Sequence, residues 1–123
     1  MFFIWRCRVN INQSLLEHAI INLIDNAIKY SPKKTKVRID ASLTNSFVSI
    51  IITDEGCGIP EEDLPRIFER FYRVDKSRSK ELGGTGLGLA IVKHIINIHK
   101  GTVEVESEFH KGSRFIIMIP AEL

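Results

Sequence analysis

A nearly unbroken apolar run, Phe47-Val48-Ser49-Ile50-Ile51-Ile52-Thr53, stops abruptly at Asp54-Glu55-Gly56-Cys57-Gly58. A strand that is apolar at almost every position has to be covered on both sides, so this one belongs near the centre of a sheet. Lys36 to Leu43 precede it across Thr44-Asn45-Ser46, with Val37, Ile39 and Ala41 alternating. They read as a neighbouring strand in a hairpin. A length of 123 residues suits one domain around one core.

The flanking segments build a second layer. Phe3, Trp5, Cys7, Val9 and Ile11 alternate with polar residues, among them Arg6, Arg8 and Asn10. That pattern predicts a half-buried strand, and a domain opening in mid-strand is expected to have more sequence upstream. Asn12 caps a helix running to about Tyr30, with Leu16, Ala19, Ile20, Leu23, Ile24, Ala27 and Ile28 as its apolar stripe. Ser31-Pro32 ends it, because the residue before proline avoids helical geometry. A short helix is expected after Pro60 and another over Pro65 to Arg70. Arg73 to Gly84 is polar, lacks periodicity and reads as a mobile loop. A second long helix starts near Gly86 and ends near His99, with Gly101 beyond it. Thr102 to Glu106 and Arg114 to Ile119 form a closing strand pair. This order predicts an α/β two-layer sandwich, a mixed sheet with helices on one face.

Composition narrows the function. A net charge of +2 argues against a nucleic-acid module, which needs a stronger basic excess. Cys7 and Cys57 lack metal-ligand spacing and read as reduced thiols. No apolar run approaches the ~18 residues that cross a bilayer, and the opening Met1 to Trp5 is too short for a signal peptide.

Three segments could carry chemistry. On a helix turning ~100° per residue, Asn22, Asn26 and Lys29 fall within ~60° of one another. Asparagine is a mediocre helix former, so two of them one turn apart invite a reason. Amide oxygens can ligate Mg²⁺, and a lysine can add charge to phosphates. Taken alone, the three are more readily explained as a solvated face with incidental amides. Asp54 ends an apolar strand and is followed by Gly56 and Gly58, which let backbone approach a ligand closely. A buried aspartate there could accept a hydrogen bond from an exocyclic amine; a plain glycine turn is the alternative. Gly83-Gly84-Thr85-Gly86-Leu87-Gly88 precedes an apolar helix and offers N–H groups to phosphate. It lacks the preceding strand of a dinucleotide fingerprint, and no P-loop pattern occurs.

In order and spacing these segments resemble the ATP-binding, catalytic domain of bacterial sensor histidine kinases. Asn22-Leu23-Ile24-Asp25-Asn26-Ala27-Ile28-Lys29-Tyr30 resembles the N box, and Asp54-Glu55-Gly56-Cys57-Gly58-Ile59-Pro60 the G1 box. Ile67-Phe68-Glu69-Arg70-Phe71-Tyr72-Arg73 resembles the F box, Gly84-Thr85-Gly86-Leu87-Gly88-Leu89 the G2 box, and Gly112-Ser113-Arg114-Phe115 the closing motif. The resemblance spans roughly residues 9 to 120. It implies the Bergerat fold with a mobile ATP lid, shared with gyrase, Hsp90 and MutL.

The resemblance also implies roles. Asn26 would hold Mg²⁺ and Asn22 would support it. Lys29 and Arg73 would face the ATP phosphates, and Tyr30 would lie near the nucleoside. Asp54 would accept from the adenine amino group, with Gly56, Gly58 and Ile59 beside it. Gly84, Thr85, Gly86, Leu87 and Gly88 would bring the lid and the next helix to the phosphates. Phe68 and Phe71 would anchor the lid, and Phe71 belongs to the nucleotide-binding set. Gyrase-like members carry a hydrolytic glutamate where this chain has Asn22, an amide that is no general base. The implied reaction is therefore γ-phosphate transfer to a histidine on a separate dimerisation domain, with a response regulator downstream. Alternatives are an anti-sigma-type serine kinase and a non-enzymatic nucleotide-binding module.

The four histidines, His18, His94, His99 and His110, lack the acceptor's sequence setting. The chain is thus expected to be one catalytic domain, 1–123, monomeric in isolation and inactive without the acceptor domain. The dimerisation and sensor domains would lie outside it. Its expected place is the cytoplasmic part of a membrane-bound kinase. The closing turn departs from the family at Phe109 and at His110, where glycine is usual; if positive φ is needed there, His110 is strained. Asn12 stands where aspartate is common.

Overall fold

Asn12 opens the first helix as expected: its side-chain oxygen accepts the N–H of Leu15 at 3.1 Å. The computed structural model describes residues 9–73 and 87–121. The elements are α1 (Gln13–Lys29), β1 (Val37–Thr44), β2 (Phe47–Asp54), a 3₁₀ helix (Glu61–Arg66), α2 (Gly88–Ile98), β3 (Thr102–Glu108) and β4 (Gly112–Pro120).

The strands form one sheet in the order β1-β2-β4-β3, with β2 and β4 central. All three ladders are antiparallel, so the expected mixed pairing is not found among the described residues. The reason is local. β1 and β2 are joined by a two-residue turn, Asn45 and Ser46, both at positive φ, and such turns return a strand antiparallel. β3 and β4 are likewise joined by three residues. The expected opening strand lies largely outside the described residues, and residues 9–12 form no strand.

Register sorts the inner face into rows. Ile39, Ile52, Phe115 and Val105 form one, and Ala41, Ile50, Ile117 and Val103 the next. Ala19, Leu23 and Ala27 of α1 and Val92, Ile95 and Ile96 of α2 complete the core against them. On the outer face Ile51 and Ile116 are half-buried, flanked by exposed Arg38, Asp40, Glu104 and Arg114. The central strand is thus covered by helices on one side and screened by charged neighbours on the other.

The two helices are tied end to end. His99, which closes α2, is buried; its Nε2 accepts the N–H of Asn12 at 2.9 Å, and Nδ1 lies 2.7 Å from the carbonyl of Ile95. These partners place the proton on Nδ1.

No α-helix forms over Pro65 to Arg70. The 3₁₀ helix ends at Arg66, and successive three-residue turns follow, with Glu69 N–H on Arg66 O and Tyr72 N–H on Glu69 O. Pro65 falls inside the 3₁₀ helix rather than opening a new one, and the bonds that follow keep the tighter three-residue spacing.

Ile117 and Ile39 share the inner face but not its burial: Ile117 is fully buried and Ile39 is 51% exposed. From the edge strand β1, among the described residues, only Val37 packs against the core. Ile117→Ala should therefore cost about 2–5 kcal/mol, and Ile39→Ala less than about 1 kcal/mol. Urea unfolding of both variants checks the ranking; equal losses would mean that β1 is covered.

Candidate functional site

Asp54 is the last residue of β2 and is buried at 9% exposure. Its register partners are Val37 on β1 and Ser113 on β4, and Ser113 in turn faces Ser107 on β3. The apolar rows of the inner face therefore end in one where Asp54, Ser113 and Ser107 follow Val37. Oδ1 of Asp54 accepts from Gly56 N–H at 2.8 Å and from Ser113 N–H at 3.3 Å. The other oxygen takes part in neither bond. Burial raises this carboxyl above its ordinary value of 3.8, and the two N–H donors partly oppose the rise.

The turn after Asp54 touches both neighbouring elements through backbone. Cys57 N–H donates to Tyr30 O, the carbonyl just past α1, at 3.3 Å, and His110 N–H donates to Cys57 O at 2.6 Å. A Cβ on Gly56 would fall 2.6 Å from Tyr30 O; one on Gly58, which sits at φ +72, would fall 2.2 Å from Glu108 O. Glycine at both positions is required by these contacts. At Gly88 the opposite holds: an added Cβ meets nothing within 4 Å among the described residues, and α2 begins there without a side-chain cap.

The end of α1, the Asp54 turn and the β3–β4 hairpin thus converge. This brings Tyr30, Asp54, Gly56, Gly58 and Ile59 together. Asn22, Asn26 and Lys29 lie along α1; the two amides are half-buried and Lys29 is exposed. Nδ2 of Asn22 is buried without a hydrogen-bond partner among the described residues. A buried amide left so costs about 1–3 kcal/mol unless something satisfies it. Among the described residues no group of three or more His, Cys, Asp or Glu could hold a metal. A cation here would be shared between neutral amide oxygens and the oxygens of a phosphate it arrived with, which fits Mg²⁺.

Phe68 packs edge-on to Phe115 with centroids 6.3 Å apart and lies beneath Lys93 Nζ. Phe71 is 68% exposed at a φ of +65°, and nearly all of the lid that the two are expected to anchor lies outside the described residues. Tyr72 closes the segment through a hydrogen bond to Asp63 and a ring contact with the Arg66 guanidinium. Arg73 is half-buried, and Leu87 and Gly88 begin α2. Gly84, Thr85, Gly86 and nearly all of the expected lid lie outside the described residues.

His110 has φ +71, so a side chain occupies the left-handed conformation that glycine favours. It stacks against Phe109 at 3.9 Å. Ser107 and His99 have no role that can be read from sequence alone. A serine inside an alternating strand and a histidine at a helix end carry little signal until register and packing are known.

Comparison with known proteins follows the same lines. The family described as histidine kinase-, DNA gyrase B- and HSP90-like ATPase matches residues 11–123. Sensor-like histidine kinase SenX3 of Mycolicibacterium smegmatis is 49% identical over 113 residues, 92% of this chain and 29% of that protein. Signal transduction histidine-protein kinase ArlS of Staphylococcus aureus is 50% identical over 102 residues, 83% of this chain and 23% of that protein. The chain therefore spans under a third of these relatives. Among solved structures, mycobacterial sensor histidine kinase MprB superposes with a TM-score of 0.85 at 34% identity, over 94% of this chain and 78% of that one. The catalytic domain of histidine kinase ThkA gives 0.77 at 31%, over 91% and 70%. Full-length ShkA in complex with AMPPNP gives 0.74 at 30%, over 87% and 21%.

The raised Asp54 carboxyl has a consequence for stability. Below the unfolded value of 3.8 both states are protonated and the group has no effect. As pH rises from there, the folded chain holds the proton longer, so stability falls until the folded group also ionises. Asp54→Asn keeps an oxygen for both N–H donors and removes the charge. It should be as stable as the parent at low pH and more stable at pH 7. Thermal unfolding across that range checks this; a variant less stable at pH 7 would mean that the ionic hydrogen bonds outweigh the burial.

Proposed function

The chain belongs to the family of histidine kinase-, DNA gyrase B- and HSP90-like ATPases, and from that premise we propose that it binds Mg²⁺-ATP and donates the γ-phosphate to a histidine on a separate dimerisation domain. The observation that carries this reading is Asp54, buried at the end of β2 with two N–H donors on one oxygen. A carboxylate held this way has its second oxygen left for an amino group, which selects adenine over guanine. Full-length ShkA, to which this chain is similar over 21% of that protein, was solved in complex with AMPPNP, which supports the nucleotide reading.

At the phosphate end, Asn26 would hold the metal through its side-chain oxygen. The unpartnered Nδ2 of Asn22 supports a ligand at that end of α1. Bound Mg²⁺ would draw negative charge from the phosphate oxygens. Lys29 and Arg73 add positive charge beside it, and the N-terminus of α2 at Gly88 offers N–H groups. Asn22 is an amide and takes no proton from water, which favours transfer over hydrolysis. The acceptor imidazole, neutral and nucleophilic, attacks the γ-phosphorus as the bond to the bridging oxygen breaks and ADP leaves. The protein's contribution is positioning and charge stabilisation of a loose transition state.

None of the four histidines fits the acceptor. His99 is buried with both ring nitrogens engaged. His18, His94 and His110 are exposed on α1, on α2 and in the hairpin turn. The acceptor domain, a sensor region and a response regulator would belong to the parent protein and its partner. No helix among the described residues is long and apolar enough to cross a membrane, and the domain would act on the cytoplasmic side.

With labelled ATP, Mg²⁺ and the parent's dimerisation domain, the expected product carries label on histidine that acid removes and base retains. Acid-stable label would identify a serine kinase, and binding without transfer a nucleotide module. Asn26→Ala should weaken Mg²⁺-ADP binding by about tenfold or more in calorimetry, with unfolding little changed. Unaltered affinity would remove Asn26 from the metal site.

A further inference from the structure

The polar row that ends the inner face contains one side chain with a saturated set of partners. Ser107, half-buried on β3, accepts the N–H of Ile59 at 2.7 Å, lies 2.9 Å from Ser113 Oγ and donates to Gly112 O at 3.1 Å. A hydroxyl has one hydrogen and two lone pairs. With its hydrogen on Gly112 O, Ser107 must accept from Ser113, so all three positions are used. Ser113 is itself buried, and its own N–H goes to Asp54 Oδ1.

Besides Gly56 N–H on Asp54, the turn from Glu55 to Ile59 is fastened to the rest of the body at three points among the described residues. Two are backbone to backbone, Cys57 N–H on Tyr30 O and His110 N–H on Cys57 O. The third, Ile59 N–H, ends on the Ser107 side chain. Ser107 therefore links both supports of the carboxylate: the turn that carries Gly56 N–H, and the strand that carries Ser113 N–H. A methyl group in its place would leave Ile59 N–H without that acceptor and Ser113 Oγ without its neighbour.

We propose that Ser107 is a positioning residue for base recognition, acting through Ile59 and Ser113 to hold Asp54 in the geometry that accepts from an adenine amino group. The proposal rests on the nucleotide reading given above. It assigns Ser107 no contact with the nucleotide.

The test is titration calorimetry of the folded chain with Mg²⁺-ADP and Mg²⁺-IDP, whose base has a carbonyl in place of the amine. Ser107→Ala removes the hydroxyl, and Ser107→Thr retains it on a strand that tolerates β-branching. The native chain is expected to prefer ADP. Ser107→Ala should lower the ADP-to-IDP affinity ratio by about fivefold or more, mostly through weaker ADP binding, and Ser107→Thr should restore most of the ratio. If the alanine variant does not fold, Ser107→Cys, with a weaker hydrogen-bonding group, carries the same expectation of a lowered ratio. A ratio that survives the substitution, or equal losses for both nucleotides, overturns the proposal alone. A native chain with no preference for ADP overturns the base-recognition reading and this proposal with it.

Discussion

Two backbone N–H groups from distant parts of the chain, those of Gly56 and Ser113, meet on one oxygen of Asp54. The rest of the site depends on that convergence. It requires β2 and β4 to pair so that Asp54 faces Ser113, because a slip of one residue would carry every inward side chain to the other face. The apolar rows behind it enforce the register: Ile52 against Phe115 and Ile50 against Ile117 are in place only in this pairing. Core packing and site geometry are thus one constraint. The buried charge opposes stability while the hydrophobic rows supply it, a division common where a fold keeps a polar group for function.

The second layer is set by contacts at chain ends. His99 joins the end of α2 to the start of α1, and Tyr30 O joins the end of α1 to the Asp54 turn. The helix bearing Asn22, Asn26 and Lys29 is consequently fixed at both termini, by a side chain at one and by a close glycine contact at the other. Rigid elements rather than loops would hold the metal-binding and base-reading groups, as accurate positioning demands.

Much of this was legible in the sequence. The α1 stripe, its Asn12 cap and the Ser31-Pro32 stop gave the helix to within a residue; alternation gave β1, and the continuous apolar run gave β2, nearly as well. The Asp54 turn was legible because glycine spacing and an apolar strand seldom coincide by chance. What stayed hidden depended on pairing. The saturated role of Ser107 exists only once β3, β4 and the turn are assembled, and the histidine tie exists only once the helices are packed. The Pro65 to Arg70 helix failed because proline's preference for a first helical turn says nothing about whether an α-helix continues beyond it. The His110 expectation turned on a conformation that sequence could state only conditionally, and the positive φ is present.

On the proposed function, the polar end-row of the sheet would read an adenine amino group through Asp54. Amide NMR of the ¹⁵N-labelled chain, titrated with Mg²⁺-ADP and separately with Mg²⁺-IDP, tests it most directly. Large shifts of the Gly56 and Ser113 amides with ADP, much reduced with IDP, are predicted, since these N–H groups share the carboxylate with the base. Equal shifts for both nucleotides, or perturbation confined to other parts of the sheet with Gly56 and Ser113 unmoved, would contradict it.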